Sequence, residues 1–152
     1  YCDEKFQLLY EVVRFEPKSF AQRDSRGRWN IGSVRRGPYH LYRLMTLAPV
    51  FIVEGEKDVH TLERYEYVAT CNSGGAGKWR EEFKQYFVNR DVILLPDNDD
   101  AGHKHMREVL LNLAPVVHTI KTVHLAGLPE NGDVTDWFAA GHTKKEFEAL
   151  KI

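Results

Sequence analysis

Three carboxylates stand within four residues directly after an apolar run of strand length. The run is Val92 to Leu95, and the acids are Asp97, Asp99 and Asp100. Neighbouring carboxylates raise the cost of ionising one another, and a divalent cation with oxygen ligands, usually Mg²⁺, relieves that cost. A helix N-terminus rich in aspartate is the competing interpretation, because the helix dipole favours acids there. This segment alone leaves both interpretations open.

A further acid, Glu54, ends a second apolar run, Val50 to Val53, and is followed by Gly55. In a parallel sheet, ligands bind at the carboxyl ends of the strands. Side chains alternate along an extended segment, so Asp97 and Asp99 can point the same way, towards Glu54 on a neighbouring strand. Gly55 allows a tight turn and a close backbone approach. Two acidic strand ends in one sheet favour a metal site over a helix cap.

Alternating strand and helix patterns from residue 47 onwards predict an α/β fold with a parallel sheet and helices on both faces. The predicted strands cover 50–53, 68–71, 92–95 and a more polar edge strand at 119–125. The predicted helices cover 57–65, an apolar stripe from Trp79 to Phe87, a third ending before Pro115, and two closing helices at 133–140 and 143–150. Thr143 with Glu146 predicts a capping box at the last of these.

The first 46 residues are basic and predict β structure, with strands at 6–15 and 19–23. They contain nine Lys/Arg and five Asp/Glu, a net of +4, whereas the remainder contains twelve and seventeen, a net of −5. Cations interleaved with aromatic rings suit a nucleic-acid surface. A small sheet with inward rings and solvated arginines is the alternative. The candidate nucleic-acid-binding residues are Lys18, Arg23, Arg28, Arg35 and Arg36.

The composition is that of a globular domain, and no apolar run approaches the roughly 20 residues of a membrane helix. The start of the chain lacks both a Met and the features of a signal peptide, so we expect a fragment of a longer cytoplasmic protein. Cys2 and Cys71 form no CxxC pair, which argues against a zinc site. His103 and His105 follow the acidic loop and are expected to face water.

A glycine-rich loop at residues 73–78 ends in Lys78. It fails the P-loop pattern, because Asn72 and Trp79 stand where that pattern requires glycine and Ser or Thr. Backbone amides of such a loop can still cradle a phosphate, and Lys78 can contact one. A flexible loop with a solvated lysine is the alternative. The candidate phosphate- or nucleotide-binding residues are Gly55, Asp58, Gly75, Gly77 and Lys78.

Two stretches together resemble the Toprim domain. They are Val-Glu-Gly-Glu-Lys-Asp at 53–58 and Pro-Asp-Asn-Asp-Asp-Ala-Gly at 96–102. That family has a glutamate after its first strand and Asp-x-Asp after its third, and the resemblance covers about residues 47–141. The stretches at 14–20, 73–79 and 133–137 look most like the Toprim proteins of phages, plasmids and prophages. The implied fold is a Rossmann-like parallel four-stranded sheet flanked by helices, preceded by a small β-rich segment.

The resemblance implies a role for each acid. Glu54, Asp97 and Asp99 are the implied catalytic residues and ligands of Mg²⁺, with Mn²⁺ as a substitute, and Asp100 is an additional ligand. Asp58 matches an acidic position on the helix that follows Glu54 in primases. Asp133 and Asp136 resemble an auxiliary acidic pair, although the family usually has Asp-x-Asp and two residues intervene here.

The implied function is that of a DNA primase domain, a nucleotidyltransferase that makes RNA primers on single-stranded DNA from ribonucleoside triphosphates. In such proteins a helicase domain commonly follows in the same chain. We therefore divide this chain into a basic N-terminal segment, 1–46, and a Toprim catalytic domain, 47–152. A Toprim nuclease using the same acids and a non-catalytic nucleic-acid-binding module are the alternatives.

Overall fold

The computed structural model describes residues 1–17, 19–29 and 31–150. The chain opens with an antiparallel hairpin formed by β1 (Tyr10–Phe15) and β2 (Ser19–Asp24). β1 begins later than the strand predicted from Phe6. The reason is local, because Phe6 has a φ of 64°, which a strand does not allow.

Four parallel strands in the order β4–β3–β5–β6 form the centre of the fold. The strands are β3 (Val50–Ile52), β4 (Val68–Thr70), β5 (Asp91–Leu94) and β6 (Thr119–Thr122). The helices are α1 (Glu56–Arg64), α2 (Asp100–Leu113), α3 (Val134–Ala139) and α4 (Lys144–Glu148). The predicted four-stranded parallel α/β fold with a preceding hairpin is therefore confirmed.

The sheet separates two apolar clusters, because alternate residues of a strand point to opposite faces. Phe51 and Val53 contribute to one cluster, where α1, α3 and α4 pack. Val50 and Ile52 contribute to the other, which contains the buried side of α2. This second cluster also takes in Leu41 and Leu44, from a short 3-10 helix at Leu41–Met45 in the N-terminal segment.

The aromatic stripe predicted as a helix is a 3-10 helix over Glu81–Tyr86. Its Phe83 is buried as the pattern indicated. Trp79 lies outside it, because the Arg80 backbone is extended and the Trp79 indole N–H donates to Asn112 Oδ1 at 2.9 Å. The predicted stripe was therefore right about burial and wrong about where the helix begins.

Both closing helices begin with a capping box, of which only the one at α4 was predicted. Thr143 and Glu146 form a capping box at α4, and Asp133 and Asp136 form another at α3. α2 is the longest helix of the described ranges, with 14 residues, and none there has the length and apolar character to cross a bilayer.

Candidate active site

Two acids meet because β3 and β5 are neighbours in the sheet. Ile52 pairs with Leu94 near the carboxyl ends of these strands, so Glu54 and Asp97 leave the same sheet edge side by side. Their carboxyl groups are close enough for each to affect the ionisation of the other. Two ionised carboxylates repel, so a proton or a cation at this edge stabilises the pair.

The environment of this pair opposes ionisation. Burial, followed by the charge of Glu54, raises the pKa of Asp97 to about 8. Burial is also the largest cause of the raised pKa of Glu54, and the charge of Asp99 adds to it. Two adjacent carboxyl groups that resist losing their protons are the electrostatic mark of a site built for a positively charged partner.

Asp58 and Asp133 extend the acid cluster from α1 to the start of α3. Asp58 is buried, accepts a hydrogen bond from Thr135 Oγ1 at 2.6 Å, and has its pKa raised to about 6, chiefly by burial. Burial also acts on Asp133, but the ammonium of Lys57 outweighs it and lowers the pKa of that carboxyl. The cluster thus holds one acid neutralised by a lysine and others that lack such a cation.

Asp99 fits both interpretations of the acidic loop. It is the N-cap of α2, and its Oδ1 accepts a hydrogen bond from the Gly102 amide at 2.6 Å. Asp100 is the first residue of that helix and is exposed. Asp99 therefore caps α2 and also places a negative charge near Glu54.

The acids are close together but do not form a closed cage. Within residues 1–17, 19–29 and 31–150, no three of their oxygens lie within 4.8 Å of one another; that criterion is met by His40, His60 and Glu63. One oxygen of Asp99 accepts the cap bond from Gly102. The donors are all carboxylate oxygens, the type that Mg²⁺ prefers, so the chemistry of this set fits Mg²⁺.

Two buried side chains, those of Asn72 and His105, hold the glycine-rich loop in place. Asn72 Nδ2 donates to the Gly75 carbonyl at 2.7 Å, and the Gly77 amide donates to His105 Nδ1 at 3.1 Å. His105 is only 1% exposed, so the expectation that it faces water is wrong. His105 is the sixth residue of α2 and lies on its buried face with Gly102, Met106 and Val109; this helical spacing is the signal that the sequence offered.

This clamp, formed by the hydrogen bonds to Asn72 and His105, limits which backbone amides of the loop can bind a phosphate. The amide of Gly77 is bonded to His105, and that of Lys78 to the Gly75 carbonyl at 3.3 Å. The Lys78 side chain is exposed. Two amides of the predicted cradle are thus engaged within the protein, and the exposed Lys78 ammonium can reach a ligand.

A cleft of about 790 Å³ separates the acids from the hairpin. Asp97, Asp58 and Glu54 line one wall, and the exposed rings of Phe20 and Trp29 line the other. A chain of hydrogen bonds joins the walls at one end: Arg36 Nη1 donates to Gln22 Oε1 at 2.8 Å, and Gln22 Nε2 donates to Ser73 Oγ at 2.6 Å.

The predicted basic residues are distributed differently from the expectation. Arg36 lines the cleft, with its guanidinium 5.2 Å from the Tyr10 ring. Arg23, Arg28 and Arg35 each form an ion pair with an acid of the N-terminal segment, namely Glu11, Asp24 and Glu4 in that order. Lys18 lies outside the described residues. The N-terminal segment therefore presents the rings of Phe20 and Trp29 and the guanidinium of Arg36 to the cleft.

Two other predicted positions have ordinary structural explanations. Asp136 is exposed and caps the amide of Asp133, so its local role is the capping box. Gly55 has an extended backbone with a φ of −127°, and a Cβ there would lie 3.6 Å from Asp58 Oδ2, an ordinary contact. Neither residue's geometry requires a ligand.

The sheet order and the preceding hairpin match the Toprim fold of solved DNA primase structures. The primase fragment of the bacteriophage T7 primase-helicase protein has a TM-score of 0.65 with this chain at 19% identity, over 99% of this chain and 59% of that one. A DnaG primase catalytic domain bound to ssDNA gives a TM-score of 0.60 at 22% identity, over 93% of this chain and 51% of that one. These likenesses show the fold.

Sequence comparison agrees with the fold. DNA primase DnaG of Aeropyrum pernix is 34% identical over 86 residues, which are 56% of this chain and 19% of that protein. The chain therefore spans about a fifth of the length of this curated relative. No family model matches the chain.

Proposed function

We propose that this chain is the catalytic Toprim domain of a DNA primase, which joins ribonucleotides into RNA primers on single-stranded DNA. The observation that carries the proposal is the meeting of Glu54 and Asp97, with Asp99 beside them, on one wall of a cleft whose other wall is aromatic. The likeness in fold and sequence to primases supports it. The division at residue 46 is part of this proposal.

We propose that Glu54, Asp97 and Asp99 hold Mg²⁺, with Asp100 as an additional ligand and Mn²⁺ as a substitute. When bound there, Mg²⁺ neutralises a triphosphate and favours ionisation of an attacking hydroxyl. The chain's own contribution is to hold these acids in a partly dehydrated edge of the sheet, where their charge is costly without a cation.

Other groups in and beside the cleft suit a nucleotide and a template. The exposed ammonium of Lys78, on the loop clamped by His105, can pair with a phosphate. Glu54 has a raised pKa and lies beside Asp97, so it can accept a proton from a hydroxyl held at the sheet edge. Phe20 and Trp29 offer faces on which bases of single-stranded DNA can stack.

We place the domain in a longer cytoplasmic protein, with a helicase domain in the same chain. The T7 relative is a primase-helicase by name, and this chain covers only part of each relative. The partners of the whole protein would be single-stranded DNA and ribonucleoside triphosphates.

The test is to incubate the full-length protein with single-stranded DNA, ribonucleoside triphosphates and Mg²⁺. We expect new short RNA oligomers, and we expect Asp97→Ala combined with Asp99→Ala, or Asp97→Asn alone, to abolish them. Asp91→Ala is the matched control, because Asp91 lies at the opposite end of β5 and binds His118 and Thr119. Unchanged synthesis by the double variant, or shortening of the DNA in place of new oligomers, would contradict the proposal.

A further inference from the structure

A second group of metal-ligating side chains lies where the segment before β3 meets α1. It consists of His40, His60 and Glu63, and one donor atom of each lies within 4.8 Å of the donor atoms of the other two. His40 Nδ1 is 2.7 Å from Glu63 Oε1, and the two imidazole centroids are 5.6 Å apart. Two imidazoles and a carboxylate form a ligand set that suits zinc, in contrast to the all-oxygen cluster at the sheet edge.

The backbone that carries these three residues is well fixed. His60 and Glu63 are three residues apart on α1, so they share a face of that helix. His40 has a φ of 51°, a left-handed conformation that residues other than glycine adopt rarely and often at functional positions. The carbonyl of the preceding residue, Tyr39, accepts a hydrogen bond from Thr70 Oγ1 at 2.6 Å, which anchors this turn to β4.

Two neighbours bear directly on metal binding. The Tyr39 hydroxyl is 2.8 Å from His60 Nε2 and can orient that ring, as the outer partners of metal-binding histidines commonly do. Arg43 Nη1 is 2.8 Å from Glu63 Oε1 and so competes with any cation for that oxygen. The Arg43 side chain is 41% exposed, so it can move into solvent when another cation takes its place.

We propose that His40, His60 and Glu63 bind one zinc ion, with solvent as the remaining ligand. The ion would join the segment before β3 to α1. It would be separate from the Mg²⁺ site, since Glu54 precedes the first residue of α1, Glu56, and Glu63 lies seven positions further, or roughly 10 Å along that helix. The lack of a CxxC pair argues only against a zinc site built from cysteine thiolates. His40 and His60 come from two separate segments, so a site built from imidazoles leaves no short motif in the sequence.

The test is calorimetric titration of the chain with zinc chloride in an excess of Mg²⁺, which occupies the acid cluster. We expect one zinc ion per chain, and at least roughly tenfold weaker binding by His60→Ala, since even outer-shell losses cost that much. His118→Ala is the matched control, because His118 is an exposed histidine paired with Asp91 outside the group. Arg43→Ala should bind zinc more tightly, a result that a purely structural hydrogen-bond network would not produce.

A cobalt titration gives an independent signature, because tetrahedral cobalt bound by imidazole absorbs visible light strongly and hexahydrated cobalt does not. His60 is exposed, so the His60→Ala variant is expected to fold, and circular dichroism checks this. Undiminished zinc binding by His60→Ala, or the lack of a one-to-one complex, would overturn the proposal. Loss of binding in Cys2→Ser or Asp97→Asn, with His60→Ala unaffected, would place the ion on a thiol or on the acids and overturn it as well.

Discussion

Glu54 and Asp97 follow two neighbouring parallel strands, and each carboxyl group affects the ionisation of the other. The pair is partly buried, and the ammonium of Lys57, in the same acid cluster, is engaged by Asp133. A proton or a cation between the two carboxyl groups relieves their repulsion. This relationship links the protonation of the site to its metal binding.

The first prediction concerns stability without metal. Burial, then Glu54, raises the pKa of Asp97 to about 8 from an ordinary 3.8, so the folded state keeps a proton that the unfolded state releases. The stabilising contribution is complete below the unfolded pKa and is lost as the pH rises towards about 8. We expect the free energy of unfolding, measured with urea and a chelator, to fall between about pH 5 and about pH 8.

Asp97→Asn should flatten this pH dependence, and Mg²⁺ should offset the loss at the upper end, because the cation binds the ionised acids. The quantity to compare is the difference in free energy of unfolding between wild type and variant at each pH, because the contributions of other titrating groups cancel in that difference. Asp91→Asn serves as the control, because hydrogen bonds from Thr119 and His118 lower the pKa of Asp91. Equal slopes in wild type and Asp97→Asn would show that the pair is not protonated in the folded state.

The second prediction concerns Gly102, in the first turn of α2. A Cβ at this position would lie 2.8 Å from the Asp97 carbonyl oxygen and 3.0 Å from the Asp97 nitrogen. Alanine normally stabilises a helix interior over glycine by about 0.5–1 kcal/mol, but a backbone clash of this kind costs about 1–3 kcal/mol. Gly102→Ala should therefore be destabilising in urea unfolding and should weaken Mg²⁺ binding, because Asp97 must move.

Lys104→Ala, on the exposed side of the same helix, is the control for Gly102→Ala and should change neither quantity much. If Gly102→Ala proved more stable than the wild type, the close approach of α2 to Asp97 would be wrong.

The third prediction concerns the clamp beneath the glycine-rich loop. His105→Leu removes the acceptor of the Gly77 amide, a bond worth about 0.5–1.5 kcal/mol. Amide hydrogen exchange in residues 73–78 should then be roughly two- to tenfold faster, since exchange reports local opening. His103→Ala, two positions earlier on α2, should leave that exchange unchanged. Identical exchange in wild type and His105→Leu would mean that the loop is held by other contacts.

The fourth prediction concerns the aromatic wall of the cleft. Trp29 is 55% exposed and lines the cleft that the acids also line, and base stacking on such a ring is worth about 1–3 kcal/mol. Trp29→Ala should weaken binding of single-stranded DNA by roughly five- to a hundredfold, measured by fluorescence anisotropy at one fixed salt concentration. Leu111→Ala removes an apolar side chain that is even more exposed, at 68%, and does not line the cleft, so it should have no effect. Equal affinities would exclude Trp29 from the binding surface.

The periodicity of apolar residues was enough to predict the fold. Uninterrupted apolar runs such as Val92 to Leu95 need burial on both faces, which a parallel sheet between helices provides. The caps at Thr143 and Glu146 are local and were equally predictable. Errors arose where one residue's backbone overrode the pattern, as at Phe6, or where a distant partner fixed a side chain, as Asn112 fixes Trp79.

The sequence by itself determined which acids end strands, because strand ends and carboxylates can both be recognised along the chain. Only the tertiary structure decided which groups those acids meet. Strand order makes Glu54 and Asp97 neighbours, α2 brings His105 beneath Gly77, and helix packing brings His60 near His40. Contacts between residues far apart in sequence depend on strand order and helix packing, and neither leaves a spacing that local patterns can reveal.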